Sequence, residues 1–327
     1  MNNLKKLVLA TCLAAAALPA SSAVFIVAHP DDHMLLMGPN MVNDIVNGYP
    51  TVVVIITAGD AANGIADNVG PGANGRQYNA FGNQYYRVRL QAHMAAIDNW
   101  IPGYTGAGRP WAESTESFSA KIPQVEKWRL GNVVLYHLNL PDASTGLQAM
   151  KANSNLEVAD IRGINRYTRE TLKETIRQII ARNNRNTPNV VVNYHEPLPN
   201  SIAADHIDHT EAGAVVRDAI YQNAAYACLW EARYPGYIMG GQPINMPQIL
   251  DVQRRGYEIA HTIMAQRGNV IPLGENDFVS NPNWMQTQPV PGSNNTLQYG
   301  AMDGFHTGFY GKSYYAGARQ ATQNCAF

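Results

Sequence analysis

Four short apolar runs punctuate the chain, at residues 24–28, 51–57, 132–138 and 189–194. Together they are rich in Val and Ile, with little polar alternation. A strand with one wet face alternates apolar and polar side chains; a strand covered on both faces does not. The runs therefore predict a parallel sheet held between helices. Apolar residues at helical spacing lie between the runs. Met41, Val42, Ile45 and Val46 follow Gly38-Pro39, and Leu172, Ile176, Ile179 and Ile180 share one face. Residues 86–100, 210–225 and 250–266 give three more helices, the second turning Ala214, Val215, Ala219 and Ile220 inward. Strand and helix in alternation argue for an open, doubly wound α/β fold, mainly parallel, with helices on both faces.

The connections sharpen this picture. Long segments follow strands at residues 59–84, 140–167 and 195–205, whereas residues 47–50 and 183–188, after helices, are short. In a parallel sheet the loops after strands emerge on one rim, and ligands bind there, where the strand order reverses. In the order 3-2-1-4 the first and fourth runs would be neighbours at that reversal. From about Ile271 the pattern loses its period and becomes rich in Asn, Gly, Pro and Tyr, which reads as an irregular C-terminal extension, residues 271–327, packed on the main domain at 24–270.

Composition narrows the class. The chain has 327 residues, 46% hydrophobic and 15% charged, with a formal charge of −1. That balance suits a sizeable core and supplies no basic footprint for nucleic acid. Residues 1–23 carry Lys5 and Lys6, an apolar run from Leu7 to about Ala20, then Ser21, Ser22 and Ala23. This is the order of a secretory leader, with an apolar run too short to span a bilayer comfortably. The expectation is an exported protein, periplasmic or secreted, without stable membrane insertion. Beyond the leader, which holds Cys12, stand Cys228 and Cys325. In an exported chain they could form one disulfide or stand as two buried thiols, and spacing does not decide between them.

The chemistry is concentrated at two strand ends. Of nine histidines, His29 and His33 follow the first run and His195, His206 and His209 follow the fourth, with Asp31, Asp32, Asp205 and Asp208 among them. In His29-Pro30-Asp31-Asp32 a turn brings residues i and i+3 to one side, and Pro30 restricts the backbone around it. The same spacing recurs in His206-Ile207-Asp208-His209. Two histidines and a carboxylate, His29, Asp32 and His209, predict a divalent metal site with open positions, as in catalytic zinc centres. Asp31 is then a second carboxylate placed to accept a proton from water. His206 would protonate a leaving amine or stabilise an oxyanion, and Asp208 would orient an imidazole. His195 is expected beside the ligands rather than among them. His93, His137, His261 and His306, with Met34 and Met37, are expected in packing or surface roles.

These residues carry a resemblance. AHPDDH at 28–33 with ADHIDH at 204–209 resembles the PIG-L/LmbE-like metal-dependent deacetylases, whose hallmark is AHPDDE with a later HxDH. TAGD at 57–60, YYRVRLQAHMAA at 85–96 and LNLPD at 138–142 also resemble segments of that family. The resemblance covers residues 24–266. It implies a zinc-dependent amide hydrolase on a Rossmann-like fold, removing acetyl from N-acetylglucosamine-type groups of a sugar or glycan. His29, Asp32 and His209 fall on the ligand positions, Asp31 on the base, His206 on the assisting histidine and Arg89 on a substrate-binding position. One departure stands out: the motif's final Glu is His33 here, which could compete for the ion, add positive charge or alter how Asp31 is held. Two other functions share the residue set. Two histidines and a carboxylate also describe non-haem iron oxygenases, and a carbohydrate-binding protein could keep the pocket without turnover.

Overall fold

A computed structural model describes residues 21–60, 85–106, 108–185, 187, 189–197, 205–241, 243–267, 311–313, 317–319 and 325. Residues 1–20 of the expected leader, most of the loop expected at 59–84 and most of the expected extension from residue 271 lie outside the described residues.

Ten strands and seven helices are described. The strands are β1 (Ser21–Val27), β2 (Thr51–Thr57), β3 (Ala112–Glu116), β4 (Val125–Leu130), β5 (Val133–Leu140), β6 (Val158–Ala159), β7 (Arg166–Tyr167), β8 (Asn189–His195), β9 (Trp230–Tyr234) and β10 (Gly317–Arg319). The helices are α1 (Asp32–Leu35), α2 (Gly38–Val46), α3 (Tyr85–Trp100), α4 (Leu147–Ala152), α5 (Arg169–Asn183), α6 (Ile207–Tyr221) and α7 (Pro247–Arg267). Eight strands form one sheet in the order β10-β9-β8-β1-β2-β5-β4-β3. The five central strands from β9 to β5 are parallel, and β4, β3 and β10 add antiparallel edges. The expected order of the four apolar runs is the one observed, β5-β2-β1-β8.

Burial follows from the two-residue period of a strand. Val24, Ile26, Val52, Val54, Val134 and Tyr136 face one side of the sheet and pack with Leu172 and Ile176 of α5 and Val215 and Ala219 of α6. Phe25, Val27, Val53, Ile55, Val133 and Leu135 face the other, with Met41 and Ile45 of α2, Leu90 and Ile97 of α3 and Tyr257 of α7. Every residue of β2 and β5 is buried, so those runs could not alternate.

Some segments differ from expectation. The stretch before Asn132, where the hydrophobic pattern marks no element, contains β3 and β4. Residues 112–115 of β3 are exposed, so no hydrophobic pattern marks that edge strand. The loop expected at 140–167 contains α4 and the small β6–β7 pair. Strand β1 begins at Ser21, so Ser21–Ala23, assigned to the end of the leader, pair with Asn189–Val191 in the sheet. The described parts of the extension pack on the main domain: β10 pairs antiparallel with β9, and Cys325 is disulfide-bonded to Cys228, 97 residues away. Among the described residues no helix is long and apolar enough to cross a membrane.

Candidate metal centre

Strand order reverses between β1 and β8, because β1 is followed in sequence by its neighbour on one side and β8 arrives on its other. The C-terminal ends of both strands therefore open at one point. There the backbone N–H of Ala28 donates to Nε2 of His195 at 3.3 Å, joining the ends side by side.

Beyond β1 the chain turns at once into α1. His29 donates its backbone N–H to Oδ2 of Asp32 at 2.7 Å, and Asp32 returns its N–H to the carbonyl of His29 at 3.3 Å. This closed turn fixes both side chains on one side, as the i, i+3 spacing requires. Beyond β8, helix α6 begins with His206 at its N-cap, where Nδ1 accepts the N–H of Asp208 at 3.2 Å. Asp205 locks the same turn, accepting the N–H of His206 at 2.9 Å. Gly213 sets how closely α6 approaches β8: a Cβ there would sit 2.2 Å from the carbonyl oxygen of His195.

The two segments meet through the three residues expected as ligands. Nδ1 of His29 lies 3.3 Å from Nε2 of His209 and 3.3 Å from Oδ2 of Asp32, and Nε2 of His209 lies 3.0 Å from Oδ1 of Asp32. Second partners set the tautomers of the imidazoles. Asp205 Oδ1 takes the Nδ1 proton of His209 at 2.7 Å, and Asp208 Oδ2 faces Nε2 of His29 at 3.5 Å. With both rings neutral, as ion binding requires, the lone pairs of His209 Nε2 and His29 Nδ1 would face each other and the carboxylate. A tetrahedral zinc with bonds of 2.0–2.1 Å needs donor separations of about 3.3 Å. The donor set and its spacing therefore fit that ion. Asp205 Oδ2 and Asp208 Oδ1 are buried without a hydrogen-bond partner among the described residues, while the other oxygen of each carboxylate faces a histidine of the site.

The electrostatics agree. Burial opposes charge on His29, but Asp32 and Asp208 outweigh it and hold its pKa well above the usual value. For His209 burial is likewise outweighed, by Asp32 and Asp205, and the pKa is raised to about 9. Burial would raise Asp32, yet His209 and His29 hold it well below the usual carboxylate range. Such mutual stabilisation between imidazoles and a carboxylate marks a place where positive charge is favoured.

Asp31 stands beside this group rather than in it. Its Oδ1 is 2.5 Å from Nη2 of Arg89, whose Nη1 donates to the carbonyl of Gly59 at 3.1 Å. Burial would raise the pKa of Asp31, but the guanidinium outweighs it and keeps the carboxyl ionised. Arg89, placed by the resemblance on a substrate-binding position, pairs with Asp31. His206 sits at the lip with its side chain 40% exposed, 4.9 Å ring to ring from His29. Burial and the neighbouring His29 lower its pKa. Asp208, fully buried, also accepts the N–H of Ala143 at 2.9 Å. The TAGD and LNLPD segments lock together beside it: Gly59 N–H donates to Asp142 Oδ1 and Asp142 N–H to Asp60 Oδ1, both at 3.0 Å.

His195 is buried, stacked on His209 at 4.5 Å and 3.4 Å from Asp32 Oδ2, close enough to form a candidate donor set with those two residues. His33 is buried edge-on to His93, with ring centroids 5.6 Å apart and neither nitrogen partnered among the described residues. Burial pushes its pKa down to about 4, so it adds no positive charge at neutral pH. Nor does it belong to the donor sets that could share an ion among the described residues. His93 contacts Met34 Sδ, His137 meets the carbonyl of Thr57 at 3.0 Å, and Met34 and Met37 are core. The side chains of His261 and His306 lie outside the described residues.

Sequence reasoning gave Asp205 no role, although a carboxylate four residues before an expected ligand histidine, just ahead of the helix that carries it, is a signal that could have found it. Tyr237, edge-on to His209 at 5.0 Å, was also missed; it comes from a 3₁₀ turn far along the chain that nothing in the motifs marks.

No protein-family model matches the chain, and no curated protein does. Among solved structures it is similar to the N,N'-diacetylchitobiose deacetylase of Pyrococcus horikoshii in complex with an inhibitor, at 14% identity and a TM-score of 0.41, over 74% of this chain and 70% of that one. It is also similar to the antimicrobial A40926 pseudoaglycone deacetylase, at 15% and 0.41, over 81% and 86%. A third is the zinc-inhibited form of a teicoplanin deacetylase, at 14% and 0.39, over 73% and 83%. Likenesses this distant bear neither on the fold nor on the chemistry, which stand on the residues themselves.

Proposed function

We propose that the chain is an exported zinc-dependent hydrolase that removes acetyl from an N-acetylated amino sugar. The supporting observation is the convergence of His29, Asp32 and His209 at 3.0–3.3 Å with an ionised carboxyl, Asp31, alongside. The resemblance of AHPDDH and ADHIDH to the deacetylase motifs supports amide hydrolysis as the reaction. The Cys228–Cys325 disulfide suits an oxidising compartment, which supports export.

In this reading His29, Asp32 and His209 hold the ion, which when bound polarises the acetamide carbonyl and lowers the pKa of water. Asp31 accepts a proton from that water as its oxygen bonds to the carbonyl carbon. Arg89 keeps Asp31 ionised and aimed. The C–N bond then breaks, the proton passes to the departing nitrogen, and acetate and a free amine result. His206 accepts an N–H at Nδ1, so its neutral form carries its proton on Nε2 and can donate to the oxyanion or the amine. Asp205 and Asp208 hold the two ligand imidazoles in the required tautomers.

The test is acetate release from N-acetylglucosamine and its short oligomers, with metal content measured on the same sample. Activity is expected to vanish with a chelator and return with zinc. Zinc-loaded protein that frees no acetate from any N-acetylated sugar would reject the reading.

A further inference from the structure

Helix α1, which carries Asp32, is a single turn of four residues. A helix that short does not hold itself, and its last carbonyls have no partner within it. The carbonyl of Met34 finds one 219 residues away: Nε2 of Gln253, on α7, donates to it at 2.7 Å. The other end of the same side chain is also engaged. Oε1 of Gln253 accepts the N–H of Gly311 at 2.9 Å. Gln253 is fully buried, so neither bond has water as a substitute.

The segment that Gln253 reaches is itself fixed. Asn245 donates from Nδ2 to the carbonyl of Ser313 at 2.6 Å and accepts its N–H at 2.8 Å, while Met246 N–H donates to Gly311 at 2.8 Å. Asn40 of α2 donates to Ser313 Oγ at 2.8 Å. The space for the bridging amide is kept by Gly38, where a Cβ would lie 2.3 Å from Nε2 of Gln253.

We propose that Gln253 is a positioning residue for the metal-binding turn, coupling the Asp31–Asp32 segment to residues 311–313. Its amide supplies the donor that ends α1 and the acceptor that seats residues 311–313, so that segment acts on the site through Gln253. The zinc part rests on the metal-centre reading; the coupling itself does not.

Three variants test it: Gln253→Ala, Gln253→Glu and Gly38→Ala. Gln253→Glu keeps the acceptor for Gly311 and loses the donor to Met34 once its buried carboxyl, raised in pKa by burial, is ionised, so its exchange is compared with the parent at a pH where that carboxyl has titrated. Gly38→Ala improves helix propensity yet displaces the amide, so it stands in if Gln253→Ala does not fold. Amide hydrogen exchange of residues 32–36 is expected to quicken about tenfold in each, with β2 and β5 unchanged. Zinc affinity, measured by competition with a chromophoric chelator, is expected to fall about tenfold, the lower end for partners that orient ligands. Wild-type exchange at the turn in Gln253→Glu and Gly38→Ala, or acceleration spread evenly over the protein, would overturn the proposal. If the parent protein bound no zinc, the metal-centre reading would fail while the exchange result would still decide this one.

Discussion

Oδ1 of Asp205 lies 2.7 Å from Nδ1 of His209, and the opposite ring nitrogen of His209 lies 3.0 Å from Asp32. One imidazole thus links a carboxylate just ahead of its own helix, α6, to one on α1, beyond the distant strand β1. The first partner takes the ring proton and leaves the second nitrogen as a donor for an ion.

Asp205→Ala is accordingly expected to weaken zinc binding about 10- to 100-fold, the usual cost of losing such an orienting partner. Asp205→Asn keeps an acceptor and should lose less. Competition with a chelator of known affinity measures both.

Asp31→Asn separates proton transfer from metal binding. Its kcat is expected to fall about 10²- to 10⁴-fold, the range for a lost general base, with zinc content per chain unchanged. Steady-state kinetics with metal analysis on the same preparation reads out both. Full activity in the variant would remove Asp31 from its role.

The four apolar runs were legible because β1, β2, β5 and β8 are largely buried on both faces, which favours runs rich in Val and other apolar residues over alternation. Their order and the meeting of the two histidine segments followed from that. Edge strand β3, AESTE, was not legible, because an exposed strand needs no apolar pattern. Strand β10 is three residues long, too short to show a period. The pairing of Asp31 with Arg89, 58 residues apart, and the reach of Gln253 to Met34 are tertiary contacts between side chains that local spacing does not encode.

The disulfide closes a separation of 97 residues and ties the chain's end to the body. Cys228→Ser, or reduction, is expected to lower unfolding free energy by up to about 4.7 kcal/mol, the chain-entropy value for a loop near that length. Guanidinium unfolding under oxidising and reducing conditions measures it, and the serine variant should show no further loss on reduction.

Asp44 gives stability an acid-side optimum. Burial raises its pKa to about 6 in the fold, against about 3.9 in an unfolded chain. The folded state therefore favours the protonated form. Asp44's contribution is full below about pH 3.9 and is lost as pH rises through about 6. Asp44→Asn is expected to gain about 1–2 kcal/mol over the parent at pH 8, discounted for its partial exposure, and nothing at pH 3.5. Equal unfolding midpoints at pH 8 would contradict this.

The most direct measurement of the central claim is an anomalous difference map at the zinc edge from crystals of the metal-loaded protein. One peak is expected per chain, bonded at about 2.0–2.2 Å to Nδ1 of His29, Nε2 of His209 and a carboxylate oxygen of Asp32. Zinc bound elsewhere, or these three side chains left without it in fully loaded protein, would contradict the account.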